Sequence, residues 1–229
     1  MANAITHFKK YIDLLDTVYQ QAAATSILDA DATTVRMGAN AGEFLIPKIS
    51  MNGLADYSRS TGYVKGDVTI GYETKMCNYD RGRKFTVDAM DNEETAGIAF
   101  GKLASEFIRT KVVPEMDAFR FAKYAGTANI LSESGALTTG TDVLTALQTA
   151  VNAQDEAEVS PEGKVLFITP TLLTLAKNVD LTKSKAILER FEQTITVPQT
   201  RFYTGINTLD GTSPDETAGG YTAASGAYK

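Results

Sequence analysis

Ala96 to Leu103, AGIAFGKL, follows a strand-like stretch and opens a helical one, which is where a phosphate-binding loop would stand. Such a loop presents bare amides to the phosphates and needs Ser or Thr after its lysine to hold magnesium. Leu103 follows Lys102 here, and Ile98, Ala99 and Phe100 continue an apolar helical face, so packing of the first helical turns is the better account. The carboxylates Asp88, Asp91, Glu93 and Glu94 are oxygen ligands suited to a hard cation, but they lack the spacing and the glycine of an EF-hand loop. Helix capping accounts for three of the four. His7 is the sole histidine and Cys77 the sole cysteine, too few for a structural zinc site within one chain, and His7 lies on an N-terminal amphipathic pattern rather than beside a nucleophile. From these residue types no catalytic residue, cofactor site or metal site is expected.

A second group is cationic: Arg81, Arg83 and Lys84, beside Asp80 and Gly82. Solvated turn charge, a phosphate contact and pairing with carboxylates all suit such a cluster. The flanking pattern makes it the tip of a hairpin. Val68, Ile70 and Tyr72 alternate with Thr69, Gly71 and Glu73, and after the turn Phe85, Val87 and Ala89 alternate with Lys84, Thr86 and Asp88. Strands of that length predict an arm on the order of 30 Å long. A lone two-stranded arm is marginally stable in water, so its apolar face and open edges call for a partner, for which another copy of the chain would serve. Cys77, late in the first arm strand, is expected to be buried or half-buried.

The returning strand feeds a helix pattern. Asp91 and Glu94 stand three residues apart as a capping box does, and Phe100, Leu103, Phe107, Ile108, Val112, Met116 and Phe119 then recur at helical spacing until Gly126. Pro114 lacks an amide proton and its ring meets the carbonyl of Thr110, which predicts a kink or break there.

The block DRGRKFTVDAMDNEET, Asp80 to Thr95, followed by VVPEMDAF, Val112 to Phe119, resembles the extended-loop tip, returning strand and spine helix of major capsid proteins with the Hong Kong 97-like fold, which tailed phages share with encapsulin shells. The likeness is concentrated between Val64 and Ala125. It implies an α+β chain with an N-terminal arm (1–40), an extended β-hairpin loop (41–90), a spine helix (91–125) and α/β peripheral and axial regions (126–229). Family members carry further strands beyond the position where this chain stops, so the axial region is expected to be truncated. The resemblance also implies pairing between subunits through the tip residues Asp80, Arg81, Arg83 and Lys84 with carboxylates of a neighbour; Glu115 and Asp117, beside the helix proline, are candidates for those carboxylates from their position alone.

Composition allows one or two domains in 229 residues, and no stretch has a membrane-spanning or signal-peptide pattern. Nearly all of the net charge of -6 falls after residue 125. Tight sequence-specific nucleic-acid binding wants a basic face, whereas a container wall need only enclose DNA. In the C-terminal half, Thr139 and Asp142 predict a capped helix through Val143, Leu144, Leu147 and Val151, followed by a turn at Ser160 to Gly163. Val165 to Ile168 predicts a buried strand, and Thr169 with Pro170 a short helix ending near Asn178. Extended structure broken by Pro198 is expected from Thr194, and a loop over the glycine-rich GGYTAASGAYK.

The resulting expectation is a major capsid protein, not an enzyme, that assembles with its own copies into hexamers and pentamers of an icosahedral phage shell. The shell would enclose double-stranded DNA without sequence-specific binding or membrane association. Scaffolding, portal or decoration proteins would be its other partners, and the chain would reside in the host cytoplasm and then the virion. An encapsulin-like shell is the alternative, and a nucleotide-binding enzyme a remote one.

Overall fold

Val68 starts a strand where the alternation places one, but its partner lies upstream rather than downstream. The computed structural model describes residues 22–29, 36–38, 40, 42–77, 79–86, 98–128, 130–179 and 181–227. They form a mixed α+β protein whose chain divides into two compact units, Leu28–Asp88 and the remainder, Met1–Ile27 with Ala89–Lys229.

The first unit is a three-stranded antiparallel sheet in the order β1 (Arg36–Met37), β2 (Glu43–Met51), β3 (Val68–Met76). All nine residues of β3 pair with β2, from Glu43 opposite Met76 to Met51 opposite Val68. The hairpin tip is therefore the segment 52–67, closed by a Ser58–Gly62 bridge and a tilted Tyr57–Tyr63 ring pair at 4.9 Å. Asp80 to Thr86, expected to be the tip and the start of the returning strand, is irregular and exposed apart from its flank at Tyr79. Val87 and Ala89 lie outside the described residues.

The second unit is organised by a long helix. α1 (Ile98–Phe107) runs through a π-helical turn, Ile108–Val112, into α2 (Val113–Ala125). The wide turn is the local answer to Pro114: the Val113 amide bonds back to the Ile108 carbonyl, five residues away, so the helix widens where the proline would otherwise collide with it. The kink or break expected at Pro114 thus takes the form of a π-helical turn, with no break in the helix. Asp91 and Glu94 lie outside the described residues, so their capping box is not seen. At the other end Gly126 donates to Ala122 and Tyr124 carbonyls and closes the helix.

α3 (Gly140–Glu156) starts with the predicted capping box: Thr139 accepts from the Asp142 amide, and the Asp142 carboxylate accepts from the Thr139 amide at 2.9 Å. β4 (Val165–Ile168) is a short strand with Leu166 and Ile168 buried, and Thr169 caps α4 (Pro170–Lys177) with Pro170 in the first turn, both as expected. α5 (Leu181–Leu188) follows, and β5 (Gln193–Thr196) then pairs parallel to β4. The core gathers Val143, Leu144, Leu166, Ile168 and Ala176, with Leu172, Ile187 and Phe191 packed against it. Gly140 is required here: a Cβ would lie 2.2 Å from the Leu175 carbonyl oxygen and 2.3 Å from the Val179 methyl. Finally β6 (Ile206–Leu209) and β7 (Gly220–Ala223) pair antiparallel, so part of the glycine-rich ending is strand rather than loop. Asp210 accepts from the Thr212 and Ser213 amides at the start of their connection, which holds its carboxyl well below the usual range.

Candidate assembly interface

Alternation along β2 and β3 sorts their side chains onto two unlike faces. One carries Lys48, Glu73 and Lys75, with Glu73 salt-bridged to both lysines. Those contacts, Lys48 first, lower the Glu73 carboxyl to about 2. The other carries Pro47 opposite Tyr72, Ile49 opposite Ile70 and Met51 opposite Val68, with Met76 at the far end. Among the described residues this second face is exposed: Ile49 is 62% exposed, Ile70 63%, Val68 64% and Met51 68%. A solvated sheet face normally carries polar side chains, and scattered surface apolar residues are common, so a row of exposed apolar residues along one face makes it a candidate binding surface.

Near the tip, Leu54 and Tyr63 are also exposed. Cys77, just beyond β3, is exposed rather than buried. The physical reason is that a single sheet layer, which is what the described residues of this unit form, offers no interior in which to bury it.

Of the charged residues singled out by sequence, Asp80, Arg81, Arg83 and Lys84 all lie in the exposed segment after β3. Glu115 and Asp117 are both on α2, and their environments differ. Glu115 is partly exposed, whereas Asp117 has no accessible surface. Its Oδ1 accepts from the Thr25 hydroxyl at 2.7 Å and the Thr25 amide at 3.2 Å; its Oδ2 accepts from the Ala24 amide at 3.2 Å and from Arg201 Nη1 at 3.1 Å. Arg120 adds a donor to the Thr25 hydroxyl at 3.1 Å and to its carbonyl. Asp117 is thus an internal anchor tying the segment around Thr25 and the 3-10 turn Gln199–Arg201 to the long helix. This corrects its assignment as a partner for a neighbour's arginine, because its lone pairs are already engaged inside its own subunit. Phe121, one turn further on, contacts Phe167 and Phe202 at ring distances of 5.4 and 4.8 Å. Tyr221 donates to the Thr200 carbonyl at 2.9 Å, and burial pushes its phenol up.

A second polar group staples the C-terminal end of α3. Asp155 is salt-bridged to the buried Lys164 and to Arg190, and Lys164 is the main cause of its lowered pKa. An open groove beside α5 is lined by Lys177, Ser184, Lys185, Leu188, Glu189 and Phe191. Among the described residues no three His, Cys, Asp or Glu side chains converge as a metal site, and no helix is long and apolar enough to cross a membrane. Sequence reasoning missed Thr25, Arg201 and the whole of β2. Comparison with protein-family models, with curated proteins and with solved structures returned no match.

Proposed function

We propose that the chain is a shell-forming structural subunit, a major capsid protein of a tailed phage with the Hong Kong 97-like fold. The apolar, uncovered face of the β2–β3 arm carries this reading. A side chain of this size gains about 1.5–3 kcal/mol on full burial, so roughly two-thirds of that is still available at each of Ile49, Met51, Val68, Ile70 and Met76. A neighbouring copy laid against this face would collect it, and successive head-to-tail contacts of that kind close into rings. Hexamers and pentamers are the rings expected of such a shell. The long helix from Ile98 to Ala125 would serve as the spine element, and the exposed Asp80 to Lys84 segment would supply charges that fix register between copies more than they add affinity. Glu115, partly exposed on α2, remains a carboxylate partner for that segment, and the acidic C-terminal part suits a wall that encloses DNA without gripping it.

The test is electron microscopy of the purified full-length chain beside an Ile49→Asp/Ile70→Asp variant. The parent is expected to form closed particles. The variant is expected to keep its helical circular dichroism and stay as free subunits. Normal particles from the variant, or no ordered assembly from the parent, would overturn the proposal.

A further inference from the structure

The two long edges of the β1–β2–β3 sheet are protected unequally. Asn52 donates to the Asp67 carbonyl and Cys77 to the Gly42 carbonyl, which fixes the phase of the ladder between β2 and β3. Because bonded and non-bonded pairs alternate in an antiparallel ladder, the odd-numbered residues of β3 turn their amides and carbonyls toward β2. Val68, Ile70, Tyr72, Thr74 and Met76 turn theirs outward. By the same phase Glu43, Leu45, Pro47, Ile49 and Met51 face the outer edge of β2, in agreement with the bond from the Gly38 amide to the Glu43 carbonyl. That edge is guarded. β1 covers Phe44 and Leu45, and Pro47, next along, has no amide hydrogen to offer. The β3 edge has neither guard: it contains no proline, and no strand pairs with it among the described residues.

We propose that the β3 edge is a strand-pairing site whose occupant is β3 of a second copy of this chain, antiparallel and centred on Tyr72. The sequence is self-complementary in that register. Tyr72 faces Tyr72 of the other copy, Ile70 faces Thr74, and Val68 faces Met76, so every outward amide and carbonyl meets its counterpart, giving about ten interstrand hydrogen bonds. An even shift keeps the two apolar faces on the same side and makes them one surface. No charge faces its like directly: Glu73 is opposite Gly71 and Lys75 opposite Thr69, with Asp67 of the other copy diagonal to Lys75. Centring on Ile70 instead would set Glu73 against Asp67 and Lys75 against Lys65. A single strand pair buries far less than the roughly 1,000 Å² of a stable interface, so the dimer is weak in dilute solution and is reinforced where many copies are held together.

The pairing stands whether or not the chain builds a shell. It is tested on the full-length chain in a Cys77→Ser background, by oxidation with diamide and non-reducing electrophoresis across a concentration series. With Tyr72→Cys the two Cα atoms stand about 5.5 Å apart, within disulfide range. Cross-linking is expected at least tenfold faster than with Thr69→Cys or Thr74→Cys. Adding Ile70→Pro, which removes an outward amide and leaves the β2 ladder intact, is expected to slow it by a similar factor. Equal rates at the three cysteine positions, a faster rate at Thr74→Cys, or a Tyr72→Cys rate indifferent to concentration would refute the pairing. The comparison of cysteine positions decides the matter even if the proline variant misfolds. Cross-linking in a preparation that forms no particles would sink the shell reading and leave the pairing intact.

Discussion

Replacing Asp117 by alanine removes the acceptor for four donors at once: the amides of Ala24 and Thr25, the Thr25 hydroxyl and Arg201. Thr25 is as inaccessible as Asp117 itself, so its amide and hydroxyl cannot turn to water without the segment coming away from α2. Arg201 is 21% exposed at its side chain and can recover part of its hydration. Removing one member of a buried ion pair costs about 3–5 kcal/mol, and the solvent access of Arg201 favours the lower half of that range. Against a typical stability of about 5–15 kcal/mol this is a large fraction. Asp117→Asn keeps one acceptor oxygen but turns an NH2 toward a donor, for about 1–3 kcal/mol, and Thr25→Val removes a bond to a charged acceptor, for about 1.5–3 kcal/mol. Urea denaturation followed by circular dichroism measures all three, and hydrogen exchange at the Ala24 and Thr25 amides shows whether the loss starts there. If Asp117→Ala lies within 1 kcal/mol of the parent and both amides keep their protection, the anchor is not what holds this segment.

Gly140→Ala is expected to destabilise by about 1–3 kcal/mol through overpacking, although alanine is the better helix former, because its methyl would meet the Leu175 carbonyl; a raised melting temperature would contradict this. Glu73 has a folded pKa of about 2 against an ordinary 4.5, so its salt bridges contribute in full above 4.5 and are lost as the pH falls toward 2. Carbon-detected titration of its carboxyl should show a midpoint far below 4.5 that rises in Lys48→Met. A midpoint near 4.5 in the parent would mean that the pairing is not held in solution.

Elements whose signal is local were legible in the sequence. Thr139 with Asp142, Thr169 with Pro170, and the run Val165 to Ile168 each carry their instruction within four residues, and each folds as expected. Strand pairing is not local. Phe85, Val87 and Ala89 alternate as Val68, Ile70 and Tyr72 do, and the charged, glycine-containing turn between them is a fair hairpin tip by chain proximity alone. The actual partner, Glu43 to Met51, alternates less cleanly because Phe44, Leu45 and Ile46 run together, the loop to it is longer, and it contains a proline. Asp117 fails to stand out for a related reason. On a helix carrying acidic and basic residues throughout, only tertiary contacts with Thr25 and Arg201, more than eighty residues away in either direction, single it out.

Pro47 shows how one residue reads differently at the two levels. In a sequence, proline inside an apolar alternation argues against a strand. In the sheet its missing amide faces outward, where β2 has no ladder at this position among the described residues, so the same residue leaves pairing with β3 intact and blocks pairing on the other side. Its position has a further consequence for assembly. A hairpin with two open edges could add strands in both directions and extend without limit, whereas one open edge that pairs with itself stops at two copies. Replacing Pro47 by valine should therefore leave the hairpin folded but restore an outward amide beside Ile49. Light scattering is then expected to show open-ended, concentration-dependent growth beyond the closed assemblies of the parent. Growth no greater than in the parent would mean that β1 alone guards this edge.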